Sequence, residues 1–568
     1  MADIGAIIRK YALKNAHDYG KASEGSVLGK VIPYSKDVKV QDLKKLVSEE
    51  VLKVNGMDRT AIEREYGSFK DEFEQKERET LEKTAMPQIR IDGAVKGKVV
   101  TRISPAPTGY MHIGHVKQAL LSEEASRIYD GKFYRYFDDT DPELCKQEYV
   151  DSMMKDHEWL GMRFDKTYYA SDHIMEMYKY AEQLINAKNA YVCTCSRETM
   201  KERRFLGIGC EHRKESVEGN RRLFSDMLDG RMAEGGSTVR FKGDMASKNT
   251  AMRDPVIMRI VDTPHYRTGK KYRVWPTYDF NTPIVDSLNG ITDIIRSKEY
   301  ELRDEESRAI LAALGLRIPR MHLEARLNIR GNITQKREIR KLIDEKRLQG
   351  WDDPRLLTVM ALRRRGIMPQ AIRNFVLRLG MTKTDSTVPM DALLAENKKV
   401  IDPTAKHLYF VPDPVKMVVK GAARSKAKLR LHPTKDYGFR EYDVGEYFYI
   451  SKDDASGIEA GAGVRLKDFM DVKATKKGSS IEAVIDPEAS GRIVQWVSDG
   501  NYLECTVLVP LPIVDDEGRF SPNSLRTVSG YVESYAEKLK EREIVQFERF
   551  GYCILDDKKR MQFIFISK

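Results

Sequence analysis

The chain lacks any run of roughly eighteen apolar residues, any basic-then-apolar leader, any repeat at solenoid period and any long low-complexity tract. These absences exclude a membrane-spanning helix, an α-solenoid and a compositionally disordered chain; a soluble, cytoplasmic protein with no membrane partner is expected. Cysteine is scarce, with six residues (145, 193, 195, 210, 505 and 553) scattered over 568, too few for a disulfide scaffold. Acidic residues are outnumbered, 86 Asp and Glu against 97 Lys and Arg. The resulting charge of +11 favours a polyanionic partner such as nucleic acid. Hydrophobic residues make up 41% of the chain, ample for several buried cores.

Four regions differ in pattern. Residues 1–97 are polar and charge-rich, with helical stretches such as Asp42–Val47 and a highly charged run from Lys70 to Lys83. From 98 to 325, strand-like and helix-like segments alternate, as in a doubly wound α/β domain carrying an insertion at about 193–265. Its second half-sheet is expected to include Thr277–Phe280 and Gly290–Arg296. Residues 326–400 turn helical, and beyond 400 short alternating runs such as Tyr447–Ser451 and Thr506–Val509 predict an all-β module of barrels.

The densest chemistry lies in Arg102-Ile103-Ser104-Pro105-Ala106-Pro107-Thr108-Gly109-Tyr110-Met111-His112-Ile113-Gly114-His115. A β-branched strand precedes it and a helix-period run, Val116 to Tyr129, follows. A strand–turn–helix unit presents unpaired backbone N–H groups to a polyphosphate. Gly109 and Gly114 admit close approach, while His112 and His115, three apart, share one helix face and can donate to phosphate oxygens. Two histidines near a helix start can instead be caps or packing residues.

The tetrapeptide His112–His115 and its Ser-Pro-x-Pro-Thr-Gly lead-in resemble the first signature of class I aminoacyl-tRNA synthetases, in the glutamyl and glutaminyl branch. Ile333-Thr334-Gln335-Lys336-Arg337 resembles the second signature, with Lys336 in the place of the lysine that neutralises ATP phosphates. Ile333 and Gln335 depart from the family's lysine and serine. Gly350-Trp351-Asp352-Asp353-Pro354-Arg355 is similar to the family's stem-contact region. The resemblance implies attack by an amino acid carboxylate on the α-phosphorus of ATP with Mg²⁺, then transfer of the acyl group to the terminal ribose of tRNA, with no side-chain nucleophile. His112, His115 and Lys336 would be the catalytic residues; Pro107, Gly109, Gly114 and Arg337 would complete the ATP site.

Two arginines bear on the amino acid. A guanidinium binds a glutamate carboxylate bidentately and matches glutamine's amide poorly. Arg102 and Arg296 align with the two arginines of the glutamyl family, and glutaminyl enzymes lack the second. The resemblance adds Ser104, Asp138 as receiver of the α-ammonium, and Tyr278 to the glutamate pocket; Thr282 stands where bacterial relatives carry asparagine. Cys193, Cys195, Cys210 and His212 offer a donor set acceptable to structural Zn²⁺, with metal-free reduced thiols as the alternative.

Lys416 to Arg440 holds eight Lys or Arg and one acidic residue, with aromatics that can stack unpaired bases. Trp351, Asp352, Arg355, Arg363, Arg364, Arg365, Lys416, Lys420, Arg424, Lys426, Lys428 and Arg430 are the expected tRNA contacts. The Leu431-His432-Pro433 context resembles archaeal and eukaryotic glutamyl enzymes, which read the anticodon with β-barrels. The whole reading is a multidomain α/β plus all-β chain of the archaeal glutamyl type: a Rossmann-like nucleotide fold with insertion, a helical stem-contact region and anticodon-binding barrels. Its expected substrates are L-glutamate, ATP and tRNA(Glu), with tRNA(Gln) left open and the oligomeric state unassigned. A glutaminyl ligase and a non-catalytic tRNA-binding relative are the alternatives.

Overall fold

A computed structural model describes residues 4–35, 40–70, 73 and 89–568. The chain divides into two units, Met1–Met86 and Pro87–Lys568. The first is helical: α1 (Ile4–Tyr19), α2 (Glu24–Val31), α3 (Val40–Asn55) and α4 (Arg59–Gly67). Leu43, Val47, Val51 and Val54 recur at helical spacing on α3 and bury with Ile8, Ala12, Leu13 and Ala16 of α1. Arg9 ties α1 to Glu50 and Glu65 at 2.7 and 2.8 Å, a half-exposed arrangement contributing at most about 1 kcal/mol per pair. The charged run from Lys70 to Lys83 lies almost wholly outside the described residues.

The second unit begins ahead of the boundary expected at 97, because Ile89 and Ile91 are buried in the same core as Ile103 and Met111. Its nucleotide fold has β1 (Val100–Ile103), β2 (Lys132–Phe137) and β3 (Lys166–Tyr169), all parallel, with α5 (Ile113–Ile128) crossing between the first two. An antiparallel four-stranded sheet follows: β4 (Ala190–Cys193), β5 (Thr238–Phe241), β6 (Val256–Ile260) and β7 (Val274–Pro276). Thr277–Phe280, expected as a strand, belongs instead to the start of α6 (Tyr278–Leu288): Pro276 ends the strand, and Phe280, Ile284 and Val285 bury at helical spacing. The second half-sheet is β8 (Asp293–Ser297) with β9 (Arg320–Glu324). Thr292, at the head of β8, donates its N–H to Val100 O at 2.9 Å and accepts the Val100 N–H on Oγ1 at 2.7 Å. The parallel strands therefore run in the order β3-β2-β1-β8-β9, the doubly wound arrangement whose carboxyl ends form a ligand crevice.

Beyond it, α7 (Lys336–Asp344) and α8 (Val359–Arg364) pack beside the first signature. The backbone of Ile113 donates to Leu357 O and that of Val359 to Met111 O, stitching this helical region to the turn. The β-module contains two seven-stranded sheets. In the inner one the edges are Lys406–Leu408 and Phe410–Pro412, two halves of one segment, which pair with Ile544–Phe547 and Leu525–Glu533 respectively. In the outer one the edges are Arg492–Val494 and Val497–Ser498, again one segment. One stretch of chain thus serves both rims of each sheet, which closes it as a barrel and leaves no free edge. No helix among the described residues is long and apolar enough to cross a membrane.

Candidate active site

At one end of the crevice, His112 caps α5. Its Nδ1 accepts the Gly114 N–H at 3.1 Å, and its own N–H donates to His115 Nδ1 at 3.2 Å. Both Nδ1 atoms are acceptors, so the ring protons are assigned to Nε2 on each histidine. Burial, with Lys336 and Arg326 nearby, lowers the His112 pKa to about 4, and burial holds His115 well below the usual histidine value. The pair, with ring centroids 3.9 Å apart, is therefore neutral at neutral pH and donates through Nε2–H.

Lys336 is the first residue of α7 rather than lying in a loop ahead of it. Its ammonium is 3.2 Å from Thr108 Oγ1. A Cβ on Gly109 would lie 2.9 Å from its Cδ, and one on Gly114 would lie 2.9 Å from His112 Cε1. Glycine at these positions lets the lysine and the histidine close over the turn. Burial pulls the Lys336 pKa below the ordinary lysine value. Ile333, the departure from the family's lysine, is an anchor: it is buried with Ile339, Leu342 and Ile513. Arg337 is exposed, and Pro107 is buried beneath the turn.

At the other end of the crevice, Arg102 is fully buried and forked on Asp286, Nε to Oδ1 at 2.9 Å and Nη2 to Oδ2 at 2.7 Å. Burial works against its charge, and the Asp286 carboxylate more than offsets that, so its pKa is raised. Its Nη1 has no partner. Arg296 is 4% exposed, its Nε is unpartnered, and no carboxylate lies within ion-pair distance of it among the described residues. Its Nη2 is 3.4 Å from Tyr300 O, and its guanidinium lies 5.4 Å from the Tyr300 ring centroid. Tyr278, whose hydroxyl pKa burial pushes up to about 12, interacts with both arginines. Ser104 is half-buried at the end of β1. Asp138 accepts from Thr140 Oγ1 at 2.9 Å and from Asn281 Nδ2 at 3.3 Å; burial raises its carboxyl to about 7.

Asp286 and Asn281 escaped the sequence reading. The signal lies in the spacing: Tyr278, Thr282 and Asp286 form a polar stripe at i, i+4 and i+8 along a largely apolar helix. The pocket also has an asparagine after all, one position before the expected one, since Asn281 is fully buried with its amide between Tyr136 and Asp138.

In the insertion, Cys193 ends β4 and Cys210 precedes a short helical turn. The ligand atoms of Cys193, Cys195, Cys210 and His212 all lie within 4.8 Å of one another. Cys193 and Cys210 sulfurs are 3.7 Å apart, and His212 Nδ1 is 3.5 Å from Cys195 Sγ. A tetrahedral zinc with Zn–S of about 2.3 Å separates its sulfurs by roughly 3.8 Å, so the donor set fits. Thr194 Oγ1, 2.8 Å from His212 Nε2, orients the ring, as outer partners of metal-binding histidines do. Arg240, also absent from the sequence reading, is buried with Nη1 3.9 Å from both Cys193 and Cys210 sulfurs.

Among the expected tRNA contacts, Trp351, Asp352, Arg363 and Arg364 line a cleft of about 820 Å³ with Tyr110, Trp159 and Arg542. Arg355 and Arg365, expected to contact tRNA, are instead buried. Arg355 is buried and forked on Asp353, with further bonds to Ser524 Oγ and Arg347 O. Arg365 is buried, donates to Ile566 O, and has its pKa lowered by burial to about 10. Both guanidinium groups brace the helical region against the inner barrel and offer no surface to a phosphate. Lys416, Lys420, Arg424, Lys426, Lys428 and Arg430 are exposed on the outer-barrel side; Lys420 pairs with Glu482 and Lys428 with Glu441.

A nucleotide crevice braced by helices and followed by paired barrels has a match among known families. The model of the tRNA synthetases class I (E and Q) catalytic domain matches residues 98–403, and two models of the anti-codon binding domain match 405–487 and 493–556. The chain belongs to the class I (E and Q) tRNA synthetases. It is 40% identical to the glutamate–tRNA ligase of Pyrococcus furiosus, covering 98% of this chain and 97% of that one. It is 38% identical to the glutamate–tRNA ligase of Nitrosopumilus maritimus, covering 98% of each. A solved glutamate tRNA ligase of Elizabethkingia meningosepticum matches at TM-score 0.40 and 18% identity, over 54% of this chain and 70% of that one.

Proposed function

We propose that this chain is a cytoplasmic glutamate–tRNA ligase: it joins L-glutamate to ATP to form glutamyl-adenylate and passes the glutamyl group to the 3′ end of tRNA(Glu). The observation that carries the choice of amino acid is Arg296, a buried guanidinium with no carboxylate partner among the described residues, facing Tyr278 in the pocket that holds Arg102. An uncompensated buried charge is costly unless a ligand completes it. The glutamate side chain supplies the missing carboxylate, whereas glutamine's amide would leave the arginine unmatched.

The chemistry needs little beyond positioning and charge stabilisation. Glutamate's carboxylate attacks the α-phosphorus and pyrophosphate leaves. Nε2–H of His112 and of His115 donate to the phosphate oxygens, and the Lys336 ammonium stabilises the departing pyrophosphate. Mg²⁺ travels with ATP and supplies Lewis-acid stabilisation of its phosphates. Asp138, ionised, holds the α-ammonium; Tyr278 and Ser104 line the pocket. The terminal ribose hydroxyl of tRNA then attacks the acyl carbon and AMP leaves. Cys193, Cys195, Cys210 and His212 would hold a structural Zn²⁺ that fixes the insertion, with Arg240 offsetting the charge of the thiolates.

Labelled glutamate and, separately, glutamine are offered to total tRNA with ATP and Mg²⁺. Incorporation of glutamate alone is expected. Incorporation of glutamine would move the chain to the sister activity, and incorporation of neither, with tRNA still bound, would reject a ligase altogether.

A further inference from the structure

Three acidic residues crowd the loop that leaves β2: Asp138, Asp139 and Asp141 follow Phe137 within four positions. Asp138 and Asp139 are both buried, and like charges this close need partners of their own. Two of the three find them in the insertion. Asp141 Oδ2 is 3.2 Å from Nη2 of Arg259, on β6. Asp139 is met by the tip of the hairpin that joins β6 to β7, residues 261–273.

That hairpin is built as a strap. His265 and Gly269 exchange both backbone hydrogen bonds, at 2.9 and 2.8 Å, which draws the tip tight. His265 Nδ1 accepts the N–H groups of Arg267 and Thr268, each at 3.3 Å, so its ring proton is assigned to Nε2, which faces Asp139 Oδ2 at 3.6 Å. Tyr266 donates its hydroxyl to Asp139 Oδ2 at 3.1 Å; burial, with that carboxylate beside it, raises the hydroxyl pKa and keeps it a donor. Arg267 donates to Ser171 Oγ, pairs with Asp172 at 3.0 Å and lies 3.8 Å over the Tyr169 ring at the end of β3. Ser171 in turn gives Asp139 its N–H at 2.8 Å and its hydroxyl at 2.7 Å.

Asp139 is thus a knot tying its own loop to the turn after β3 and to the insertion. Asp138, one peptide bond away, is held more lightly: its N–H donates to Pro105 O, its carboxylate accepts from Thr140 and Asn281, and the Arg102 guanidinium that acts on it is forked on Asp286. With consecutive Cα atoms fixed about 3.8 Å apart, whatever anchors Asp139 also sets where Asp138 points.

We propose that Asp139, Tyr266 and Arg267 are positioning residues of the glutamate site: the insertion's hairpin clamps Asp139, and the clamp aims Asp138 at the α-ammonium of the substrate. The proposal rests on the ligase reading and gives the insertion a part in binding the amino acid. The clamp also sets the charge that Asp138 feels. Burial raises the Asp138 carboxyl, Asp139 adds to that rise and Arg102 opposes it; Tyr136, Tyr278 and Cys145 are the other titratable groups that interact with it. Removing the Asp139 charge therefore moves the protonation of Asp138 to lower pH.

The test follows glutamate-dependent ATP–pyrophosphate exchange by the full chain with tRNA(Glu), using glutarate as competitor. Glutarate carries both carboxylates of glutamate and no ammonium, so it does not call on Asp138. Tyr266→Phe, which removes one hydroxyl, should raise KM for glutamate roughly tenfold or more, as loss of a hydrogen bond to a charged group does, with Ki for glutarate and KM for ATP level. Arg267→Met should follow it in direction. Asp139→Asn should also raise KM for glutamate and shift the acid limb of kcat/KM for glutamate to lower pH. Glutamate and glutarate weakening together would make the hairpin a brace for the whole pocket and overturn the proposal. So would an unchanged KM in Tyr266→Phe, or an acid limb unmoved in Asp139→Asn. A parent that exchanges with neither glutamate nor glutamine would overturn the ligase reading, and the clamp's role with it, before any variant is compared.

Discussion

The two ends of the crevice are built on different principles. The phosphate end is made largely from one contiguous turn whose backbone N–H groups fix two neutral histidines, with one lysine brought in from α7. The proposed amino acid end is assembled from Arg102, Asp138, Arg296 and one face of α6, and it leaves buried charge half-matched. In the proposed reaction one end would stabilise charge with preset donors, and the other would select a side chain by withholding a partner.

The largest effect should come from attacking the amino acid end at its support. Asp286→Ala strands the fully buried Arg102 charge and is expected to cost about 3–5 kcal/mol of stability, read by denaturant unfolding. A loss below about 1 kcal/mol would mean that Arg102 is not held by that carboxylate. At the phosphate end, His115→Ala or Lys336→Ala should lower adenylate formation roughly 10²–10³-fold with tRNA affinity nearly unchanged. Equal loss of both would make these residues structural.

Arg296→Ala should raise KM for glutamate and narrow its preference over glutamine by roughly tenfold or more, measured as the ratio of kcat/KM values. An unchanged ratio would place discrimination elsewhere. In the insertion, Arg240→Met should weaken zinc binding by roughly 10–100-fold in chelator competition, without touching a ligand.

The smallest effect separates the two ends by pH. Burial raises the Asp138 carboxyl to about 7 and lowers His112 to about 4, so acidification from neutral protonates the former first. Protonated Asp138 has lost the charge that holds the α-ammonium. The kcat/KM for glutamate should therefore fall about tenfold per pH unit below 7, while that for ATP stays level until far lower pH. Asp138→Asn should flatten the glutamate profile; a profile unchanged by it would assign the titration to another group.

This division also explains what was legible beforehand. The phosphate turn could be read because its parts are neighbours in sequence and its chemistry is in the backbone as much as in the side chains. Asp286 and Asn281 could not, because their importance arises only when α6 folds against β1 and β2. Thr277–Phe280 misled for the same reason: aromatic and β-branched residues favour a strand locally, and tertiary packing made them the opening of a helix. In the helical region, Arg355 and Arg365 were expected to contact tRNA because a sequence shows Asp353 beside Arg355 and a basic cluster at 363–365 without showing that the Asp353 carboxylate and the Ile566 carbonyl receive the two guanidinium groups. The module was anticipated as β-barrels, but not which strands close them, because that pairing joins residues far apart in sequence.

That closure bears on how the chain is made. The inner barrel's rim segment, Lys406–Pro412, pairs with Leu525–Glu533 and Ile544–Phe547, and the whole outer barrel is spelled out between them. At 5–20 residues per second, a ribosome needs roughly six to thirty seconds to deliver the partners that the rim awaits. During that interval the outer barrel can form while the rim's N–H and C=O groups stay uncovered, and the late, long-range pairing is intrinsically slow. The last strand, Gln562–Ser567, sits in the middle of the inner sheet rather than at its margin. Loss of that strand would therefore part Gly551–Asp557 from Tyr502–Pro510 and open the barrel.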